Sequence, residues 1–332
     1  MRPPRIKVSW YEGPSRQHLF TRTVAGYFYF RHDYQKRILV EMMKKVAEFC
    51  GIFVSTYGIM DDHFHVESVI PQYLPISDEE LLRRYILLHP EPTSRRASRP
   101  EYLREMLAEN GPEAVAWRSR QLLLMGDISQ FMKLLKQRYS IWYNKRHNRR
   151  GTLWNERFGN TLVQNGTDLT AKMAVYIDLN PVRAGMVKDP ADYRFTGYGA
   201  AVAGDQRARE GIMFLTGRKT WEEAQAEYRL MLYTTGAGPR EKGYVFSQEE
   251  LDKVIRQGGK LPFPTALLKK TNYFTNTLVL GSKEFVEKHL AMYRAKTGHL
   301  MRQGPRPMPS YADWGGIFAL RRPKNSPAPT GA

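Results

Sequence analysis

The spacing of apolar and polar positions changes several times along the chain. Residues 17–31, QHLFTRTVAGYFYFR, are crowded with β-branched and aromatic side chains and predict one or two strands. From Asp33 the period lengthens. Ile38, Val40, Met42, Val46 and Phe49 fall at helical intervals, with Asp33 as a candidate N-cap and Gly51 as a stop. IFVSTYGIM and HFHVESVI then predict two strands joined by a turn at Asp61-Asp62. A second long helix is predicted over 127–150, where Ile128, Phe131, Leu134, Leu135, Tyr139 and Trp142 lie three or four apart. TLVQN, 161–165, predicts a short strand. TDLTAKMAVYIDLN predicts a helix capped by Thr167 and halted by Pro181. The order strand, helix, strand, strand, helix, strand, helix makes residues 1–204 an α+β unit.

Two regions break this rhythm. Residues 72–126 read as a helical insertion, in which SDEELLRRYILL and PEYLREMLAENG flank a proline-interrupted, arginine-rich loop, HPEPTSRRASRP. Residues 205–300 predict a mainly helical C-terminal domain, carried by TWEEAQAEYRLML, SQEELDKVIRQ and SKEFVEKHLAMYRA. Within it, 266–290 is a candidate helix-turn-helix DNA reader. Residues 301–332 form a tail rich in proline and arginine, with YADWGGIFAL as its one ordered stretch.

Charge narrows the function. The 332 residues carry 51 Lys and Arg against 33 Asp and Glu, a net charge of +18. Such an excess favours a polyanionic partner, because each cation laid on a phosphate releases a condensed counterion. No run of eighteen apolar residues occurs, so no membrane partner is expected. A cytoplasmic, nucleoid-associated protein is the expectation. The single cysteine, Cys50, excludes an intrachain disulfide and a cysteine metal cluster, and reads as a buried small hydrophobe.

The candidate chemistry starts at IMDDHFHVES. Alternate side chains share a strand face, so His63 and His65 point the same way and Phe64 points opposite. Two imidazoles so placed can hold one divalent cation, but the pair alone fits partly exposed or hydrogen-bonded histidines better. Tyr176 and Asn180, four apart, share a helix face. They could bring a hydroxyl and an amide oxygen to such a cation, although a core tyrosine has the same spacing. The helix over 127–150 carries Lys133, Lys136, Arg138, Lys145, Arg146, Arg149 and Arg150, nearly all of one sign and interleaved with aromatics, a pattern suited to phosphate contact.

Taken together, these stretches resemble the REP-associated tyrosine transposases of the HUH single-strand DNA endonuclease superfamily. The resemblance rests on three ordered stretches within residues 15–200: GIMDDHFHVESVIP, ISQFMKLLKQRYSIWYNKRHNRRGTLWNERF and YIDLNPVRAGMVKDPADYRFTGY. It implies a ferredoxin-like antiparallel sheet with helices on one face. It further implies metal ligation by His63 and His65, with Asn180 as a further ligand, and Tyr176 as the nucleophile. The cofactor implied is Mg²⁺ or Mn²⁺. The partner implied is single-stranded or hairpin-forming DNA, acted on by a monomer or homodimer through a 5′-phosphotyrosine. Arg157 and Arg183 fall on basic positions of the pattern, and with Lys136, Arg138, Lys145, Arg146, Arg149 and Arg150 make the expected DNA-contacting set. Trp142, Tyr143 and Trp154 could stack on bases or equally well pack in the core, and Glu67 is a candidate base. Asp61-Asp62 stand where the pattern usually has Pro-Asn. Two rival readings are a domesticated DNA-binding or regulatory protein that does not cut, and an RNA-binding module.

Overall fold

The computed structural model describes residues 5–90, 99–233, 272–298, 301, 303–308 and 316–322. Its centre is a seven-stranded sheet: β1 (Ser15–Arg22), β2 (Phe53–Ile59), β3 (His63–Ile70), β4 (Gly159–Val163), β5 (Thr277–Gly281), β6 (Arg306–Pro307) and β7 (Phe318–Arg321). Their spatial order is β2-β3-β1-β4-β5-β7-β6, antiparallel except for the β4–β5 pair.

The helices, in chain order, are α1 (Asp33–Cys50), α2 (Asp78–Leu88), α3 (Pro100–Glu109), α4 (Pro112–Leu122), α5 (Ile128–Arg146), α6 (Thr167–Asp178), α7 (Asn180–Arg183), α8 (Gly197–Val202), α9 (Gln206–Thr216), α10 (Trp221–Tyr233), α11 (Asn272–Thr275) and α12 (Lys283–Thr297). α1 starts one residue earlier than its pattern predicts: His32 is the N-cap and Asp33 lies in the first turn, where its charge meets the positive helix end. It stops at Gly51, whose φ of 65° is the left-handed conformation a helix stop needs. α5 is capped by Asp127, which accepts from the Ser129 and Gln130 amides.

The expectation of helices on one face needs correction. Phe64 points to the side where Phe30, Trp154 and Tyr139 of α5 pack together. His65, on the other side, meets Tyr176 of α6. The sheet is therefore a middle layer, with α5 on one face and α6, α8 and α9 on the other. Glycines permit this second layer. A Cβ at Gly58 would sit 3.2 Å from the Ile177 carbonyl oxygen, so α6 lies almost directly on β2. At Gly211, α9 meets the Ser55 carbonyl beside an irregularity in the β2–β3 register, and a methyl there would overlap that oxygen. Gly211→Ala is expected to cost about 1–3 kcal/mol, read as a lower urea midpoint at unchanged slope.

The C-terminal region also differs from its pattern. Its described residues are mainly helical, in α9, α10 and α12, but they also add a strand to the same sheet: β5 pairs with β4, and β7, in the tail, pairs with β5. The candidate helix-turn-helix fails here, because Thr277–Gly281 is a strand. LVLG is too short and β-rich for a helix, and β4 offers it an open edge. SQEELDKVIRQ lies outside the described residues. The insertion is helical as expected, with α4 as an addition. Leu81, Leu82, Leu103, Met106 and Trp117 are buried in the main core with α1. Cys50 is buried.

Candidate metal and nucleophile site

Strand register assembles the site. Across β1 and β3, Arg22 faces His63, Phe20 faces His65 and His18 faces Glu67, so all six side chains share one face of the sheet. The turn leading into His63 is Asp61-Asp62, closed by the Met60 amide on the His63 carbonyl at 2.8 Å. It is pinned from outside. Lys36, almost wholly buried, pairs with Asp61 at 2.7 Å, and the Thr23 amide bonds the Asp62 carbonyl.

Each histidine has a partner on its Nδ1. Asp62 Oδ1 lies 2.6 Å from His63 Nδ1, with Arg22 Nε 3.5 Å from the other carboxylate oxygen. Burial works to raise the Asp62 carboxyl, but the His63 hydrogen bond and the His63 and Arg22 charges hold it below the usual range. His65 Nδ1 lies 2.9 Å from His18 Nε2. Burial, then the neighbouring charge of Arg322, pushes His18 down to about 3. Burial and the surrounding cations and histidines also hold His65 well below its ordinary value. Both rings therefore stay neutral. The two imidazole centroids of His63 and His65 are 5.3 Å apart and nearly perpendicular. Each ring thus has a partner able to accept its Nδ1–H, and in that tautomer Nε2 keeps the lone pair with which an imidazole binds a cation. Among the described residues no three of His, Cys, Asp and Glu cluster as metal ligands.

α6 brings Tyr176 onto the same face. Asp178 holds the helix down, accepting from Thr56 Oγ1 at 3.0 Å, Tyr228 Oη at 2.6 Å and the Tyr198 amide at 3.1 Å. The Tyr176 ring then sits edge-on to His65 and to His18, 5.9 Å from each centroid. It is 1% exposed, and Phe274 of α11 covers it at 4.9 Å. Burial raises the phenol, while the charge of Arg183 and its hydrogen bond work to lower it. The Arg183 guanidinium lies over the ring at 5.1 Å, with Nε and Nη1 buried and unpartnered.

The helix does not end at Pro181. It breaks at Leu179 and resumes as α7, where a proline near the first position is tolerated. Pro181 has no N–H for the Ile177 carbonyl, and the Asn180 amide replaces it, donating at 3.1 Å to both the Tyr176 and Ile177 carbonyls. Asn180 is buried beside Tyr176, with its Oδ1 as the atom a cation would use.

The structure thus brings together His63, His65, Tyr176 and Arg183, while the side-chain amide nitrogen of Asn180 is spent on the Tyr176 and Ile177 carbonyls one turn along. The basic residues of α5 do not join them, since that helix covers the opposite face. Lys145, Arg146, Arg150 and Arg157 are exposed, Arg149 lies over Tyr29 and bonds the Thr152 carbonyl, and Arg138 lies 3.0 Å from His89. Trp154 is a core residue, buried among Phe30, Phe64 and Tyr139 with its indole N–H on Ser140, so it has no face left for a base. Trp142 and Tyr143 stay partly exposed. Glu67 is a poor base at neutral pH: burial, with the Asp178 charge adding and Arg16 opposing, raises its carboxyl to about 8. Sequence reasoning passed over His18, whose only signal was its place one residue pair from His65 once β1 and β3 are aligned.

No protein-family model matches the chain, and no curated protein does. Among solved structures the chain is similar to one described as a REP-associated tyrosine transposase bound to a REP hairpin. The identity is 13% and the TM-score 0.38, over 75% of this chain and 100% of that one. At that identity and score the likeness says nothing about activity. Among the described residues no helix is long and apolar enough to cross a membrane.

Proposed function

We propose that this protein cleaves and rejoins single-stranded DNA at hairpin-forming repeats, through a tyrosyl–DNA link, on the ferredoxin-like frame that its motifs imply. The observation that carries the reading is convergence: two imidazoles, each partnered at Nδ1, and a phenol beside an arginine meet on one sheet face from distant parts of the chain.

The residues fit a divalent cation. His63 and His65 would hold it through Nε2 and Asn180 through Oδ1, and bound there it would supply Lewis-acid polarisation of a phosphate oxygen. A nitrogen-rich, uncharged ligand set suits Mn²⁺ at least as well as Mg²⁺. The chain's own residues do the rest. Arg183 turns its unpartnered N–H groups to a non-bridging phosphate oxygen and stabilises the phenolate. The Tyr176 phenol gives up its proton to water and its oxygen attacks phosphorus, the P–O3′ bond breaks, and the 3′ oxygen takes a proton from water and leaves as a hydroxyl. The phosphotyrosine keeps the diester energy, so another 3′-hydroxyl can reverse the step. DNA reaches the phenol only after Phe274 moves aside, because Tyr176 is buried beneath it.

That burial favours one rival, a DNA-binding protein that does not cut. The two separate on a denaturing gel. A labelled single-stranded oligonucleotide with a hairpin, incubated with Mn²⁺, should give a protein–DNA adduct and a shortened strand, both abolished by a chelator. Hairpin binding with no adduct in any divalent cation would favour the rival.

A further inference from the structure

Three cations from remote parts of the chain meet at the entry to β4. Lys136 of α5 donates to the Glu156 carbonyl at 3.0 Å, Arg5 to the Phe158 carbonyl at 2.8 Å, and Arg322, just past β7, to the Asn160 carbonyl at 2.9 Å. The acceptors are alternate residues of one segment. Arg157, exposed on that same segment, is a fourth cation. Each of the three anchored cations also lies against an aromatic ring: Arg5 over Phe158 at 3.6 Å, Lys136 over Trp154 at 5.1 Å and Arg322 over Phe20 at 5.6 Å.

This cluster is poorly neutralised. Among the described residues none of the four has a carboxylate within ion-pair distance. Glu156 is the acid whose charge reaches Lys136 and Arg322. Asp127, whose charge reaches Arg5, is already held by Lys7 and by its capping role on α5. The cations feel each other as well as their burial. Burial first, then Arg157 and Arg322, brings Arg5 down to about 10, and burial followed by Arg5 brings Lys136 down to about 8. Neutral carbonyls fix the positions of these groups without cancelling their charge. Arg322 also donates through Nε to the Thr275 carbonyl at 3.1 Å. Such a cluster is relieved by an anion, and guanidinium groups match phosphate oxygens in geometry.

The Arg322 end of the row adjoins the candidate site. Phe20, under Arg322, lies 6.1 Å from His65 and 5.2 Å from His18, ring centre to ring centre. We propose that Arg5, Lys136, Arg157 and Arg322 form a binding row for the sugar–phosphate backbone of a single strand. The row leads the strand towards His65 and Tyr176, a direction that rests on the function proposed above.

The test uses the full chain, fluorescein-labelled oligothymidine and a chelator, so that binding is read without metal or cleavage. Fluorescence anisotropy over a salt series gives the slope of log K against log salt. Each single-strand phosphate that the protein ceases to neutralise lowers that slope by about 0.7. The double variant Arg5→Gln/Arg322→Gln should lose about 1.4 in slope and bind about tenfold more weakly at moderate salt. The double variant Arg5→Lys/Arg322→Lys should keep the wild-type slope. An unchanged slope in the Gln pair, or an equal loss in the Lys pair, overturns the row and leaves the cleavage reading standing. Salt-independent binding by the wild type overturns both.

Discussion

Tyr176→Phe is expected to abolish the covalent DNA adduct and to lower nicking on the order of 10⁴-fold or more, while hairpin binding changes less than about threefold. The substitution removes a single oxygen. The ring keeps its place against His65, His18 and Phe274, so the packing that positions α6 survives. The hydroxyl is hydrogen-bonded to Arg183, and its loss should cost about 1 kcal/mol of stability. That modest cost separates a chemical effect from a folding one. Adduct is read on a denaturing gel and binding by retardation on a native gel. Nicking above a hundredth of the wild-type rate in the Phe variant would remove Tyr176 from the chemistry.

Stability should fall as pH rises, which is the reverse of the usual carboxylate behaviour. Glu67 is fully buried, its two carboxyl oxygens lack hydrogen-bond partners, and its carboxyl is raised to about 8 against 4.5 in an ordinary setting. The native state therefore holds a proton that the unfolded chain releases. This contribution is complete below the unfolded value and is lost as pH climbs towards 8. Asp178, raised to about 6 by burial despite its hydrogen bonds, adds loss of the same sign at lower pH. From Glu67 alone the fall between pH 5 and 9 is about 4 kcal/mol. Glu67→Gln keeps the volume and removes the proton, so urea midpoints for that variant should become nearly flat above pH 6. A wild-type midpoint that rises across this range would show that Glu67 is ionised in the fold.

Local patterns made the β2–β3 hairpin, α1, α5 and α6 legible, because each buries one face at its own period. That His63 and His65 share a face was legible through alternation, whereas the nearness of Tyr176 to His65 comes from the packing of α6. What escaped prediction depends on long-range contact. The two-sided sheet follows from Gly58 and Gly211 letting helices lie on β2, and a glycine in a strand does not say what approaches it. Thr277–Gly281 took its strand form from the edge of β4, a partner far away in the chain. His18 and Arg322 acquire their neighbours only when the strands are in register. For Trp154 the sequence left stacking and core packing open, because it shows an aromatic among cations without showing Phe64 beneath it.

The parallel pairing of β4 with β5 also bears on how the molecule is made. Until the ribosome has delivered β5, the β4 edge has open backbone donors and acceptors, and the apolar side chains Val163 and Tyr176 lack the Phe274 and Leu280 that later seal them. A nascent chain paused before that point exposes a sticky margin, the kind of surface on which strands from separate molecules associate. Closing it requires a contact of very long sequence separation, so refolding from denaturant should be slow and should demand dilute protein.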